Sequence, residues 1–480
     1  MKDTRSTGLL RYALMANAAF SALSGILLTL RGSRIAAFLG LHPPVTLWPA
    51  GLTLLLFAAY VSAVARKSEP KIGATHAIII ADALWVVGSM ILVAFGPLSV
   101  GGNAAVAIVA LVVLSFAVLQ SLGIPKVRHH LPSLSSRNRF WSRRFVLVAS
   151  SIVVVLIFGG AVYEDVRVAA DRQLYPPPGK LVDVGGYRLH LDCVGQGSPT
   201  VVIDAGAGNW SVAWTRIQDQ LASETRVCTF DRAGLGWSDP GIKPRTSAVM
   251  ADELYVLLHN AGLTPPFVMV GHSLGGYNAR VFIDRHRSEV AGLVLIDSAH
   301  EGQWRDLPIE VSQFKEAGLH QLFVARVMAR LGLLHLLNVP NPQVDRVGSD
   351  LRPAYRAILA QAKVYDAWQS EMQSVDKSAI QVDATRSIKD LPLVVVSAGH
   401  SFDAFRGFTD RLPFDKANKT WLELQGQLTR LSSNSTQLIN PTATHDINFD
   451  DPDLIVKGIR IALSMVRDHD AQEKQLRVGN

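Results

Sequence analysis

The sequence predicts an all-α membrane region followed by an α/β domain built on a parallel sheet. Three observations carry this reading. Five apolar stretches, at roughly 9–30, 45–65, 77–95, 104–122 and 145–163, fill the first third of the chain. From Lys180 onward, short β-rich runs alternate with helical patterns, as parallel strands covered by helices on both faces require. Between one such strand, Phe267–Val270, and a helix led by Tyr277 lies Gly271-His272-Ser273-Leu274-Gly275-Gly276.

Each of the five stretches is near the roughly 20 residues that cross a bilayer as a helix. A cleaved leader accounts for the first only. A buried soluble bundle needs polar faces, and Ala104–Leu119 contains no charge on any face. Composition agrees: the chain is 49% apolar with mean hydropathy +0.21. Residues 1–172 hold 16 Lys and Arg against 6 Asp and Glu, so the remainder of the chain carries net −3. The basic pI of 9.4 thus arises in the membrane half, not on a folded domain, and no nucleic-acid partner is expected.

Basic residues set the orientation. The 123–144 loop holds Lys126, Arg128, Arg137, Arg139, Arg143 and Arg144 without an acid, and is expected in the cytoplasm. The loop with Arg66, Lys67 and Lys71, and the N-terminus with Lys2 and Arg5, then fall on the same side. Arg31 and Arg34 dissent. Five spans in a cell (inner) membrane place everything after Tyr163 outside the cytoplasm, whereas four would return it. Asp82 lies inside the third span, where snorkelling or a partner such as His76 is the expected accommodation. Residues 1–163 are therefore the membrane region. Residues 164–179, ending Tyr175-Pro176-Pro177-Pro178-Gly179, read as a stiff extended linker.

The second domain is expected over 180–470, with a tail at 471–480. Lys180–Val184 and Tyr187–Val194 flank Gly185-Gly186 as a hairpin. Thr200–Asp204, Arg226–Phe230, Val290–Ile296, Leu391–Ser397 and Ser435–Ile439 are further strands. Helices are expected near Ala213–Ala222, at Ala248–Ala261 and, closing the domain, at Asp453–Val466.

Gly-x-Ser-x-Gly between a strand and a helix is a nucleophile elbow. The turn is tight enough to demand glycine on both sides of the serine, and its strain lifts the hydroxyl toward a base. A serine that merely caps the helix is the plainer alternative.

With this elbow, the run Asp231-Arg232-Ala233-Gly234-Leu235-Gly236-Trp237-Ser238-Asp239, the loop Ala205-Gly206-Ala207-Gly208 and the late His445-Asp446, residues 180–470 resemble the α/β-hydrolase superfamily. The resemblance implies an eight-stranded, mostly parallel sheet with its second strand antiparallel. It also implies a helical lid after the sixth strand, here about 300–388. Ser273 would be the nucleophile and His445, on a loop after the last strand, its base. Two acids compete: Asp297, at the end of the sixth strand, and Asp403, after the seventh. Asp297 is favoured, because a carboxylate at a central strand end needs a partner to justify its burial. The oxyanion donors would be the backbone N–H of Leu274 and that of Ala207 or Gly208. His272, His300 and His400 fit the base position less well. Cys193 and Cys228 would sit on neighbouring strands, as a disulfide or as two buried thiols.

A serine at the elbow argues against an aspartate-nucleophile enzyme such as an epoxide hydrolase or haloalkane dehalogenase. Metal-ligand spacings are missing, and Gly206-Ala207-Gly208 lacks the Gly-Lys-Ser/Thr ending of a phosphate loop, so neither metal nor cofactor is expected. The expected function is a membrane-anchored serine hydrolase acting on a small-molecule or lipid-like acyl substrate. An acyltransferase with the same triad and a non-catalytic binding or signalling module are the alternatives. The sequence leaves the oligomeric state open.

Overall fold

The computed structural model describes residues 4–41, 46–67, 70–96, 98–124, 135–338, 341–385 and 388–478. Two compact units make up the chain: Met1–Ala169 with Ala329–Leu336, and Ala170–Met328 with Leu337–Asn480.

The first unit contains α1 (Thr4–Leu39), α2 (Trp48–Ala65), α3 (Ile72–Phe95), α4 (Val100–Gly123) and α5 (Ser135–Leu174) as far as Ala169. Among the described residues, four stretches are long and apolar enough to cross a membrane: Gly8–Leu39, Trp48–Ala65, Ile72–Val93 and Gly101–Gly123. The fifth expected stretch, 145–163, lies within α5, and its side chains up to residue 153 fall outside those described, as does most of the basic 123–144 loop. Leu10, Leu14, Val61 and Ile78 form one buried seam, and Val86, Val93, Ala110 and Phe158 another. Leu23, Leu56, Leu84 and Ile108 point outward and are exposed. A helix bundle that is apolar both inside and outside is matched to lipid rather than water.

Two expectations for this unit are corrected. Asp82 neither snorkels nor meets His76: it is buried, and its Oδ2 accepts a hydrogen bond from Asn17 Nδ2 at 2.8 Å. The expected extended linker is also largely helical. Helix α5 continues to Leu174, because Glu164–Leu174 is rich in helix-compatible residues and the first proline arrives only at Pro176. Only the five residues from Tyr175 to Gly179 lie between α5 and the first strand.

The second unit is organised by eight strands: β1 (Lys180–Asp183), β2 (Arg188–Val194), β3 (Thr200–Asp204), β4 (Val227–Phe230), β5 (Phe267–His272), β6 (Val290–Ile296), β7 (Leu393–Ala398) and β8 (Ser435–Asn440). Their order in the sheet is β1-β2-β4-β3-β5-β6-β7-β8. β2 runs antiparallel to both its neighbours, and every other pairing is parallel. β3, β5 and β7 are buried along their whole length, as a sheet covered on both faces demands.

Helices α6 (Thr215–Leu221), α7 (Ser247–Asn260) and α8 (Leu274–Arg285) follow β3, β4 and β5. Between β6 and β7 stand α9 (Gln303–Asp306), α10 (Ile309–Arg330), α11 (Leu333–Leu337), α12 (Arg352–Leu359) and α13 (Ala362–Asp383), where the lid is expected. α14 (Phe414–Leu428), α15 (Ile447–Asp450) and α16 (Pro452–Val478) complete the fold. α16 extends into the expected tail as far as Val478. The two-residue period of the strands sends Val202, Met269, Leu293 and Val395 to the face covered by α7, α8 and α13. It sends Ile203, Val270, Val294 and Val396 to the face covered by α6 and α16.

Cys193 and Cys228 are direct register partners on β2 and β4 and form a disulfide. Reduction, or Cys228→Ala, is expected to lower stability by about 2–4 kcal/mol through the loop it closes. Urea unfolding with and without reductant measures this, and thiol titration of the unreduced, unfolded protein should find no free thiol.

Candidate active site

Ser273 sits at the turn between β5 and α8 with φ 51° and ψ −119°, a conformation rare for a residue with a side chain. It heads the helix without capping it, since its hydroxyl makes no cap hydrogen bond. That removes the plainer alternative. The glycine demand is steric: a Cβ on Gly271 would lie 2.5 Å from the Gly275 carbonyl oxygen, and one on Gly275 would lie 2.2 Å from that of Asp204. The Ser273 N–H donates to Ile296 O at 3.2 Å, which ties the elbow to the end of β6.

The next residue of β6's exit is Asp297, fully buried and itself at φ 39°. Its Oδ2 contacts His445 Nδ1 at 2.6 Å. Its Oδ1 accepts from Trp421 Nε1 at 3.0 Å, Ser401 Oγ at 3.0 Å and the Ala398 N–H at 3.2 Å. A buried carboxylate is tolerable when its lone pairs are filled in this way. Asp403 is turned elsewhere: it accepts from Asn418 Nδ2 and pairs with His400 and Arg406. Between the two acids weighed from sequence, His445 therefore engages Asp297. Burial alone would depress the His445 pKa, but the hydrogen bond and charge of Asp297 outweigh it and raise it above the ordinary value of 6.5.

The other histidines have separate occupations. His272 Nε2 contacts the His445 carbonyl oxygen at 2.9 Å, and the two rings lie 4.9 Å apart. Burial, and then the nearness of His445, push His272 down to about 3, so it stays neutral and donates that hydrogen bond. It thus braces the backbone of His445 from within the elbow. His300 Nδ1 accepts from the Gly302 N–H at 3.0 Å. Trp421 packs edge-on against the His445 ring at 6.0 Å, and Phe405 lies 6.5 Å away.

The loop after β3 is held by a buried ionic clamp. Arg232 donates from Nη1 to Asp204 Oδ1 and to Ala205 O, both at 2.6 Å, and from Nη2 to Gly206 O at 2.7 Å. Its Nε donates to Glu371 Oε1 on α13 at 2.7 Å. Glu371 Oε2 in turn accepts the Gly208 N–H at 2.9 Å. Gly208, one of the expected oxyanion donors, is therefore already committed to Glu371. Ala207 remains, between two residues whose backbones are fixed. Asp231 is structural: His190 Nδ1 and the backbone N–H groups of Ser211 and Trp237 surround it at 2.8–2.9 Å. Sequence reasoning weighed His272 only as a base, and it missed Trp421, Ser401 and Glu371. Only the Asp231-Arg232 motif signalled that a cation belonged near the loop.

Residues 199–329 match the family model described as alpha/beta hydrolase fold. The second unit is an α/β-hydrolase-fold domain. The chain is 28% identical over 293 residues to a Hormonema carpetanum protein named probable transporter efuK, covering 58% of this chain and 42% of that one. It is 27% identical over 328 residues to an uncharacterized protein of Schizosaccharomyces pombe, covering 59% and 55%. An AB hydrolase superfamily protein of Gibberella zeae is 24% identical over 288 residues, covering 56% of this chain and 87% of its own length. The chain spans about half the length of the first two relatives.

Glu371→Ala would leave Arg232 buried with half its counter-charge and strip the Gly208 N–H of its acceptor. Breaking a buried pair from one side is expected to lower stability by about 3 kcal/mol, read as the shift in urea midpoint of the purified protein.

Proposed function

We propose that this protein is a membrane-anchored serine hydrolase that cleaves an ester or related acyl bond through an acyl-enzyme on Ser273. The observation that carries the proposal is the 2.6 Å contact of His445 Nδ1 with buried Asp297, taken together with the strained serine at the head of α8. Asp297 holds the proton of the imidazole on Nδ1, which leaves Nε2 as the base. Nε2 takes the Ser273 proton as Oγ attacks the acyl carbon. The same proton then passes to the departing alcohol, and water repeats the sequence to release the acid.

The developing oxyanion is received by the backbone N–H groups of Leu274 and Ala207. Leu274 is the first residue of α8, so its N–H has no partner inside the helix. The membrane region points to an acyl substrate of lipid-like character. The Cys193–Cys228 bond supports an oxidising location for the domain, as the five-span topology with a cytoplasmic N-terminus also expects.

A fluorophosphonate probe is expected to label the wild-type protein and to leave Ser273→Ala unlabelled. Equal labelling of the two would end the serine-nucleophile reading.

The pH dependence follows from the raised pKa of His445. The base works only when neutral, so kcat/KM for an activated ester should rise with pH through a midpoint above 6.5. Asp297→Asn removes the charge that raises it, which should move this limb to lower pH and reduce turnover by about 10³–10⁴-fold. Asp403→Asn should leave both nearly unchanged.

A further inference from the structure

The membrane bundle contains a polar site that the hydrolase chemistry does not use. Asp82, on α3, lies about 15 Å along the helix from Ile72, well inside an apolar span. It is buried, as are Asn17 and Ser21 of α1 and Gln120 of α4. Asn17 Nδ2 donates to Asp82 Oδ2 at 2.8 Å, and Ser21 Oγ donates to Asn17 Oδ1 at 3.1 Å. Gln120 lies beside the carboxylate. It is completely buried, and both atoms of its amide lack a hydrogen-bond partner.

Among the described residues no side-chain cation is paired with this carboxylate, and Arg330, which reaches α3 at the Val93 carbonyl, pairs with Asp165. On α1 to α4 the other titratable groups with described side chains are Arg11, Tyr12, Arg31, Arg34, Tyr60, Lys71 at the start of α3, and His76, and all are exposed. α4 carries none, nor does α5 between 145 and 162. An isolated anion at this depth is among the costliest arrangements a bilayer permits, which favours taking up a proton there.

We propose that Asp82 is a proton-binding site of the membrane unit, with Gln120 as the partner that accommodates both protonation states. The proton comes from water and forms an O–H bond on the carboxylate. The neutral acid then donates to the Gln120 carbonyl oxygen. The ionised form accepts instead from the Gln120 amide N–H after the amide turns over. A metal ion fits the same residues less well. Asn17 presents its Nδ2, not its Oδ1, to the carboxylate, and the carboxylate with Gln120 Oε1 supplies too few oxygens to replace the shell of about six that a hard metal cation requires.

Infrared difference spectroscopy of the full chain in lipid nanodiscs, titrated between acidic and alkaline buffer, tests this directly. The wild type should show one carboxylic C=O band that appears at the acidic end, shifts in D₂O and is missing from Asp82→Asn. Gln120→Leu keeps the carboxyl group and should move both the frequency of that band and its titration midpoint, the latter by about one pH unit. Because Gln120→Leu retains the acid, it reports on the site even where Asp82→Asn fails to fold. Two outcomes overturn the proposal: no Asp82-dependent band over the range in which the protein stays folded, or a band whose amplitude follows sodium at constant pH. Fluorophosphonate labelling of Ser273 should be the same in Gln120→Leu and wild type, which separates this result from the fate of the hydrolase reading.

Discussion

The second unit depends on how a single buried carboxylate is satisfied. Asp297 has no access to water, and it is reached by groups from four places in the chain: the end of β7, the turn after it, α14 and the loop after β8. Losing any of these contacts would leave a charged group short of partners in the interior, where each missing bond is worth more than at the surface. The neutral donors Trp421, Ser401 and Ala398 crowd onto Oδ1, which leaves Oδ2 to His445. This division aims the imidazole, and it explains why an indole N–H and a serine hydroxyl are buried in a layer otherwise filled by Phe402, Leu424 and Leu412.

A second buried charge, Arg232, does comparable work for the loop after β3. A guanidinium can grip two carbonyl oxygens and two carboxylates at once because its donors form a rigid planar fork. Ala205 and Gly206 are fixed by their oxygens, and Gly208 is fixed by its N–H through Glu371. Backbone so constrained on both sides of Ala207 is preorganised, which the oxyanion role proposed for it would need.

Much of this was legible in the sequence because strand and elbow patterns are local. β3 and β6 fall on the expected residues, and the Gly271–Gly276 turn announces its own geometry through steric exclusion. The choice between Asp297 and Asp403 was not local. Each follows a strand by a short distance, and only the packing of Trp421 and Ser401, more than a hundred residues beyond Asp297, decides which one faces His445. Glu371 was unreadable for the same reason: within α13 it looks like any acid on an amphipathic helix, and its partner lies 139 residues away. The helical course of Glu164–Leu174 was misjudged on polarity, which does not oppose a helix when no proline or glycine interrupts it.

The bond from Glu371 to Gly208 divides the inserted segment into two kinds of sequence. α13 is joined to the floor of the site through Arg232 and Gly208, and its residues are answerable to the geometry beneath them. α12 meets the same loop through Tyr355, whose ring stacks on Trp210 at 4.5 Å, whereas among the described residues no hydrogen bond joins α10 or α11 to it. Variation among descendants of this chain can therefore accumulate most freely in α10 before residue 329, while α12 and α13 are held to the loop they touch. The insert is a module with a fixed seam, and any exchange of it between proteins has to keep α12 and α13 together with the loop they rest on.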